Sequence, residues 1–128
     1  MGRKEREKGC RGERLWRDEC RKAGFENVER GGQAMYQRGS ELADVVGLDG
    51  IHQEVKFVER LNYRQAMEQS ERDSIDEGAG NLPILAHKTS RKGWLVTMLA
   101  GDWFKLYRAW RNSHSEPKQY GGNGSVRT

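Results

Sequence analysis

Asp44, Glu54 and Lys56 stand out in the stretch "ELADVVGLDGIHQEVKF", residues 41–57, because their neighbours are suited to burial. An unpaired carboxylate or ammonium costs several kcal/mol in such a setting. Two facing carboxylates also repel unless a cation lies between them. Their oxygens would suit a hard divalent ion, Mg²⁺ in the first place with Mn²⁺ able to substitute, and Lys56 would lie beside it. An ion so held keeps positions open for water and a phosphodiester oxygen, and an adjacent ammonium can orient the nucleophile or stabilise a pentacovalent phosphate. The chemistry this group suits is phosphodiester hydrolysis.

The elements must bring these residues together. Residues 42–48 and 51–58 alternate about Asp49-Gly50, which predicts a hairpin. Along its second strand Ile51, Val55 and Phe57 point one way, and His52, Glu54 and Lys56 the other. A two-residue loop at Asp49-Gly50 would put Asp44 opposite Val55, on the wrong face. A three-residue loop, Leu48-Asp49-Gly50, would pair Gly47 with Ile51 and set Asp44 opposite Glu54. The second loop needs a positive φ at its last residue, where Gly50 stands.

Around the hairpin, residues 5–23 read as a helix with a stripe of Gly9, Gly12, Trp16, Cys20 and Ala23, stopped by Gly24. Glycines 9 and 12 weaken its first turns. "FENVER" reads as a first strand and "GGQAMYQRGS" as a Gly-rich loop. Tyr63, Ala66, Met67, Ser70 and Ser74 mark the inner face of a second helix, with Gln65 and Gln69 on its solvated side. "LPILAHK" and "GWLVTML" form a further strand pair joined through residues 89–92. Asp102 is placed to N-cap a last helix carrying Trp103, Leu106, Tyr107 and Trp110 on one face, a stripe suited to packing within the core or between subunits. The expected fold is α/β: a central mixed five-stranded sheet flanked by helices, in the order α-β-β-β-α-β-β, plus a C-terminal helix. One domain is expected over residues 1–112, followed by a polar, disordered tail over 113–128.

Charge is segregated. Net charge is +4, but residues 1–30 carry +3, residues 31–86 carry −5 and residues 87–128 carry +6. An acidic middle between basic ends suits a protein that holds cations centrally and phosphates around them. No apolar run approaches the roughly 20 residues that span a membrane, and "MGRKEREKG" lacks the apolar part of a signal peptide. The expected location is the cytoplasm. Cys10 and Cys20 on one helix would lie about 15 Å apart, too far for a disulfide, so both are read as thiols.

Asp44 followed ten residues later by Glu54-Val55-Lys56 resembles the PD-(D/E)XK nuclease signature, with Ala43-Asp44 in place of Pro-Asp. The wider run is "GERLWRDECRKAGFENVER", a Gly/Ser loop, "ADVVGLDGIHQEVKF", a helix and "LPILAHKTSRKGWLVTM". Over residues 9–99 it resembles the archaeal-type Holliday junction resolvases that phages also encode. That resemblance implies a restriction-endonuclease-like fold. It implies a metal-dependent endonuclease making paired nicks in four-way DNA, with Glu13, Asp44 and Glu54 as metal ligands and Lys56 as the catalytic lysine. It also implies Arg30 as a phosphate contact and Ser40 as the loop serine before the catalytic Asp. Arg38, Lys88, Arg91 and Lys92 complete the expected DNA contacts, His87 belonging to the same basic hairpin. The helix beyond Gly101 has no counterpart in that family.

Other readings remain open from the residues alone. Glu13 also reads as a surface residue paired with Arg17 at i+4, and His52 as a polar residue on a half-exposed strand. A homodimer is expected, because a junction needs two symmetric nicks and a two-fold axis supplies them. Two rival functions share the composition: a related nuclease acting on flaps, ends or damaged duplexes, and a non-catalytic DNA-binding accessory protein.

Overall fold

The computed structural model describes residues 3–31 and 44–114, with side chains from residue 7 onward. The elements run α1 (Arg3–Lys22), β1 (Glu29–Arg30), β2 (Val45–Val46), β3 (Ile51–Phe57), α2 (Tyr63–Glu77), β4 (Leu82–Lys88), β5 (Leu95–Met98) and α3 (Ala100–His114). The expected α/β order is therefore present. The five strands form one sheet in the order β1-β2-β3-β4-β5, antiparallel except for the pair β3–β4. That parallel pair requires a crossover, and α2 supplies it. The Gly-rich loop, with Arg38 and Ser40, and the tail from residue 115 lie outside the described residues.

β3 is the axis of the molecule and is buried along most of its length. On one face α1 packs Trp16 and Cys20 with Val28, Val45, Val55 and Ala86. The Trp16 indole N–H donates to Gln53 Oε1 at 2.8 Å, which partners an amide that is fully buried. Gly12 belongs to this stripe: a Cβ there would stand 2.7 Å from Phe57 Cβ, so the helix keeps a poor helix former to let the strand approach. On the other face α2 packs Ala66 and Met67 over Leu85. α2 is tied to β4 by hydroxyls, Ser70 Oγ donating to Ile84 O at 2.9 Å and Ser74 Oγ to Asn81 O at 2.6 Å. Tyr63, expected on that inner face, is exposed at the helix start beyond the Asn62 cap.

The β2–β3 pair has the register expected of the three-residue loop, but it is reached by a two-residue turn at Asp49-Gly50 with one extra residue on the β2 side, beside Gly47. Val45 pairs with Gln53, so Asp44 comes level with Glu54. Ile51 N–H donates to Leu48 O at 3.0 Å, and Gly50 has φ +85°. Gly47 is the tighter constraint, because φ is +111° and a Cβ would meet Asn27 O at 2.6 Å and Val28 Cα at 2.7 Å. The backbone of the α1–β1 connection thus lies directly on the hairpin.

Two expectations for the periphery change, and a third narrows. The first strand is shorter than "FENVER", and Phe25 is exposed because β1 has only the short β2 as neighbour. Asp102 does not cap α3. The helix begins at Ala100, with Trp103 N–H bonded to Leu99 O at 2.9 Å, and Asp102 lies in the first turn, where its charge favours the dipole. Of the two readings of the Trp103 stripe, packing in the core of its own chain is removed and packing between subunits stays open. No residue of α3 is buried, and Trp103, Tyr107, Trp110 and His114 stack in sequence along its exposed face.

The turn geometry predicts unequal glycine costs. Gly47→Ala should lose about 3 kcal/mol or more, from strain plus overlap with backbone. Gly50→Ala, where the space is open, should lose only about 1–2 kcal/mol. Urea denaturation midpoints measure both, and equal losses would contradict the close approach at Gly47.

Candidate functional site

Glu54 lies in the middle of β3, on the face covered by α2, with 3% of its surface exposed. Gln69 Nε2, from α2, donates to Glu54 Oε2 at 3.2 Å. Gln69 is thus not simply part of a solvated helix face; Gln65, one turn earlier, is exposed. Asp44 precedes the two residues of β2 and is held from both sides. Its N–H donates to Gln53 O at 3.1 Å, and its carbonyl accepts from Gly31 N–H at 2.8 Å. Its side chain closes the ladder, Oδ2 accepting the Val55 N–H at 2.9 Å. Fixed by a backbone donor of β3, the Asp44 carboxylate stays beside the strand that carries Glu54.

The electrostatics show which charges reach Asp44. Asp44 is pushed up to about 7, chiefly by burial and then by the Glu54 carboxylate. The Val55 N–H opposes that rise, Glu13 adds to it and Lys56 opposes it. Glu13, half-buried on α1, is also raised by burial, against the hydrogen bond and charge of Arg30 and with a further push from Glu54. Glu13, Asp44, Glu54 and Lys56, about forty residues apart at their extremes, therefore act on one another. Buried carboxylates gathered around a raised Asp44 make this a candidate place for a cation.

The expected phosphate contacts are distributed differently. Arg30 is engaged within the protein: Nε donates to Glu13 Oε1 at 3.1 Å and a terminal nitrogen to Cys10 Sγ at 3.2 Å. Glu13 accordingly pairs with Arg30 and not with Arg17, which pairs with Asp18. Lys88 lies over the Phe57 ring at 5.4 Å and is joined there by Lys8 at 5.1 Å and Arg11 at 5.6 Å. These three cations make a basic cluster at the C-terminal end of β3, one residue beyond Lys56. Lys8 and Arg11 were not singled out by the sequence, because only tertiary packing brings the first turns of α1 to the end of β4. Arg91 and Lys92 are exposed in the β4–β5 turn, where Glu59 accepts from Ser90 N–H at 3.0 Å and Ser90 Oγ at 2.8 Å. His87 is no phosphate contact. It is buried against Thr97 Oγ1 at 2.9 Å, and burial lowers its pKa.

A second cluster adjoins Glu54. His52 is 1% exposed, so it is not a residue of a half-exposed strand. Nε2 stands 3.4 Å from Glu54 Oε1 and Nδ1 stands 3.0 Å from Glu77 Oε2. Burial pulls the imidazole pKa down, but the two carboxylates outweigh it and the net shift is upward. Asp73 completes the group, its carboxyl raised by burial and by Glu54. Asp73 and Glu77 escaped the sequence reading. The available signal was the spacing of Gln69, Asp73 and Glu77, four apart and hence one polar stripe beside the buried Ser70 and Ser74.

No protein-family model matches this chain, and no curated protein matches it. Among the described residues no helix is long and apolar enough to cross a membrane.

The raised acids set a pH dependence. Between about 3.8, the ordinary Asp44 value, and about 7, its folded value, the native state holds more protons than the unfolded chain. Stability is therefore lost as pH rises through this window. The raised Glu13, Asp73 and His52 act in the same direction, and the lowered His87 acts against them. The Tm of protein freed of divalent ions should fall from pH 5 to pH 8, with Asp44→Asn reducing the slope. Millimolar MgCl₂ should raise Tm at pH 8 and have little effect at pH 5. Calorimetry checks this, and a Tm rising toward pH 8 without metal would contradict it.

Proposed function

We propose that this protein is a divalent-metal-dependent, structure-specific DNA endonuclease that resolves four-way Holliday junctions as a homodimer, by paired symmetric nicks. The observation that carries the reading is the Asp44 carboxylate, fixed across the hairpin from Glu54, pushed to about 7, and sensitive to Glu13 and Lys56. Mg²⁺ fits the donor set, since Glu13, Asp44 and Glu54 offer only hard oxygens. When bound, the ion would supply charge neutralisation and an activated water.

The chain's own residues divide the remaining work. Val55 N–H and Gln69 hold the Asp44 and Glu54 carboxylates in place. Arg30 orients Glu13. Lys56, adjacent in the electrostatic field, orients the nucleophile or stabilises the pentacovalent phosphate. Lys8, Arg11 and Lys88, grouped on Phe57, give the flanking phosphates a landing place without reading sequence. The dimer reading rests on the exposed faces. α3 presents Trp103, Phe104, Leu106, Tyr107 and Trp110, and the neighbouring edge strand β5 presents Leu95 and Val96. Covering them with a second subunit would gain roughly 25 cal/mol per Å² of apolar surface before association costs.

A synthetic mobile junction should be nicked in Mg²⁺ and intact in EDTA, faster than linear, flap or splayed DNA at equal salt. Denaturing gels of each labelled strand should show nicks placed symmetrically, and light scattering at micromolar concentration a dimer. Asp44→Asn and Glu54→Ala should lower the nicking rate by more than about a hundredfold, a loss that outer partners of a metal alone can approach. Junction binding should persist or tighten in both, because a negative charge near phosphate is gone. Lys56→Ala should lose rate more than Mg²⁺ affinity. A monomer nicking one strand would point to another nuclease of this kind. Salt-sensitive binding without cleavage would point to an accessory DNA-binding protein.

A further inference from the structure

The His52 cluster is distinct in chemistry from the all-oxygen group of Glu13, Asp44 and Glu54. His52, Glu54 and Asp73 each offer one ligand atom, and the three atoms lie within 4.8 Å of one another. An acidic cluster alone is common on proteins. Here two of the donors are almost wholly buried, and Glu54 Oε1 and both His52 ring nitrogens lack a well-formed hydrogen bond among the described residues, with only ion-pair approaches to Glu54 and Glu77. His52 Nε2 and Glu54 Oε1 face each other at 3.4 Å. Leaving such atoms unsatisfied is costly, and a shared cation satisfies both at once. We propose that His52, Glu54 and Asp73 form a second cation site, selective for a first-row transition-metal ion of the Zn²⁺ type over Mg²⁺.

The geometry supports that choice of ion. Ligands at about 2.0–2.1 Å in a tetrahedron stand about 3.4 Å apart, which is the His52–Glu54 separation. Asp73, on the middle of α2 and partly exposed, closes the third position by a side-chain adjustment and leaves the fourth to solvent. An imidazole nitrogen among the donors favours Zn²⁺ and its neighbours over Mg²⁺, which prefers oxygen and holds its water. Glu77 Oε2 lies 3.0 Å from His52 Nδ1, where it can accept a proton held on Nδ1 and leave Nε2 for an ion. The charge count agrees, since Glu54, Asp73 and Glu77 surround one imidazole. Glu54 is common to both groups, so an ion at the second site fixes the carboxylate that the first would use. The site itself stands on these contacts and needs no nuclease activity.

Co²⁺ titration followed by visible absorption tests the site with no DNA present. The wild-type chain should develop a ligand-field band saturating near one equivalent, without a thiolate charge-transfer band from Cys10 or Cys20. Zn²⁺ should abolish the band and millimolar Mg²⁺ should leave it. Asp44→Asn, which disables only the first group, should keep it. Asp73→Asn should weaken Co²⁺ binding about tenfold or more. Asp73 is partly exposed on a helix, so this variant keeps the fold and decides the matter even where the buried His52→Gln fails to fold. No band in the wild type, or an unchanged band in Asp73→Asn, would overturn the site. Junction cleavage in Mg²⁺ by the wild type is scored separately, so loss of the nuclease reading and loss of the second site are told apart.

Discussion

The pairing of Val45 with Gln53 is the constraint on which the rest of this structure hangs. A strand has a two-residue period, so a slip of one position would turn every side chain of the hairpin to the opposite face. At the observed register Asp44 comes level with Glu54, and Val55 N–H is free to take the Asp44 carboxylate. The register is enforced from outside the hairpin as well. Gly47 lies against the backbone of Asn27 and Val28, and Gly31 N–H holds the Asp44 carbonyl. Gly50 completes the turn and accepts Leu82 N–H through its carbonyl at 2.8 Å, which ties the same turn to the start of β4.

That register sends two different kinds of polar residue into the interior. Toward α1 goes Gln53, whose carbonyl is shared by the Trp16 indole and, at 4.0 Å, by Cys20 Sγ. This is a neutral arrangement that specifies how α1 sits. Toward α2 go His52 and Glu54, among Gln69, Asp73 and Glu77, where the chemistry is ionic. Without a cation, the raised acids show that this side works against the fold near neutral pH. Holding like charges together at a cost in stability is a common property of sites that act on ligands. The apolar contacts of Ala66, Met67 and Leu85 beside them, and of the α1 layer opposite, hold the frame that bears this cost.

Much of this was legible in the sequence because it depends on local rules. The alternation about Asp49-Gly50, the glycine at the positive-φ position and the Gly12/Trp16/Cys20 stripe follow from chain geometry and side-chain size. The strand "LPILAHK" was legible for the same reason, as a run apolar on both faces that only a covered central strand can use. The facing of Asp44 and Glu54 is set within one hairpin, but counting left two loops open, and the extra residue beside Gly47 decided the register.

What the tertiary structure decided is which neighbours each polar group would meet. His52 looked like a half-exposed residue because period alone cannot say whether a helix will cover that face, and α2 does. Arg30 looked free for phosphate until α1 brought Glu13 and Cys10 to it. Lys8 and Arg11 became companions of Lys88 only because α1 lies across the end of β3. The α3 aromatics, periodic enough to read as core, stay outside because the sheet ends at β5 and offers them no second surface. Spacing along the chain determines the face a side chain takes. Long-range packing, paid for by burial of apolar groups elsewhere, determines what that face touches.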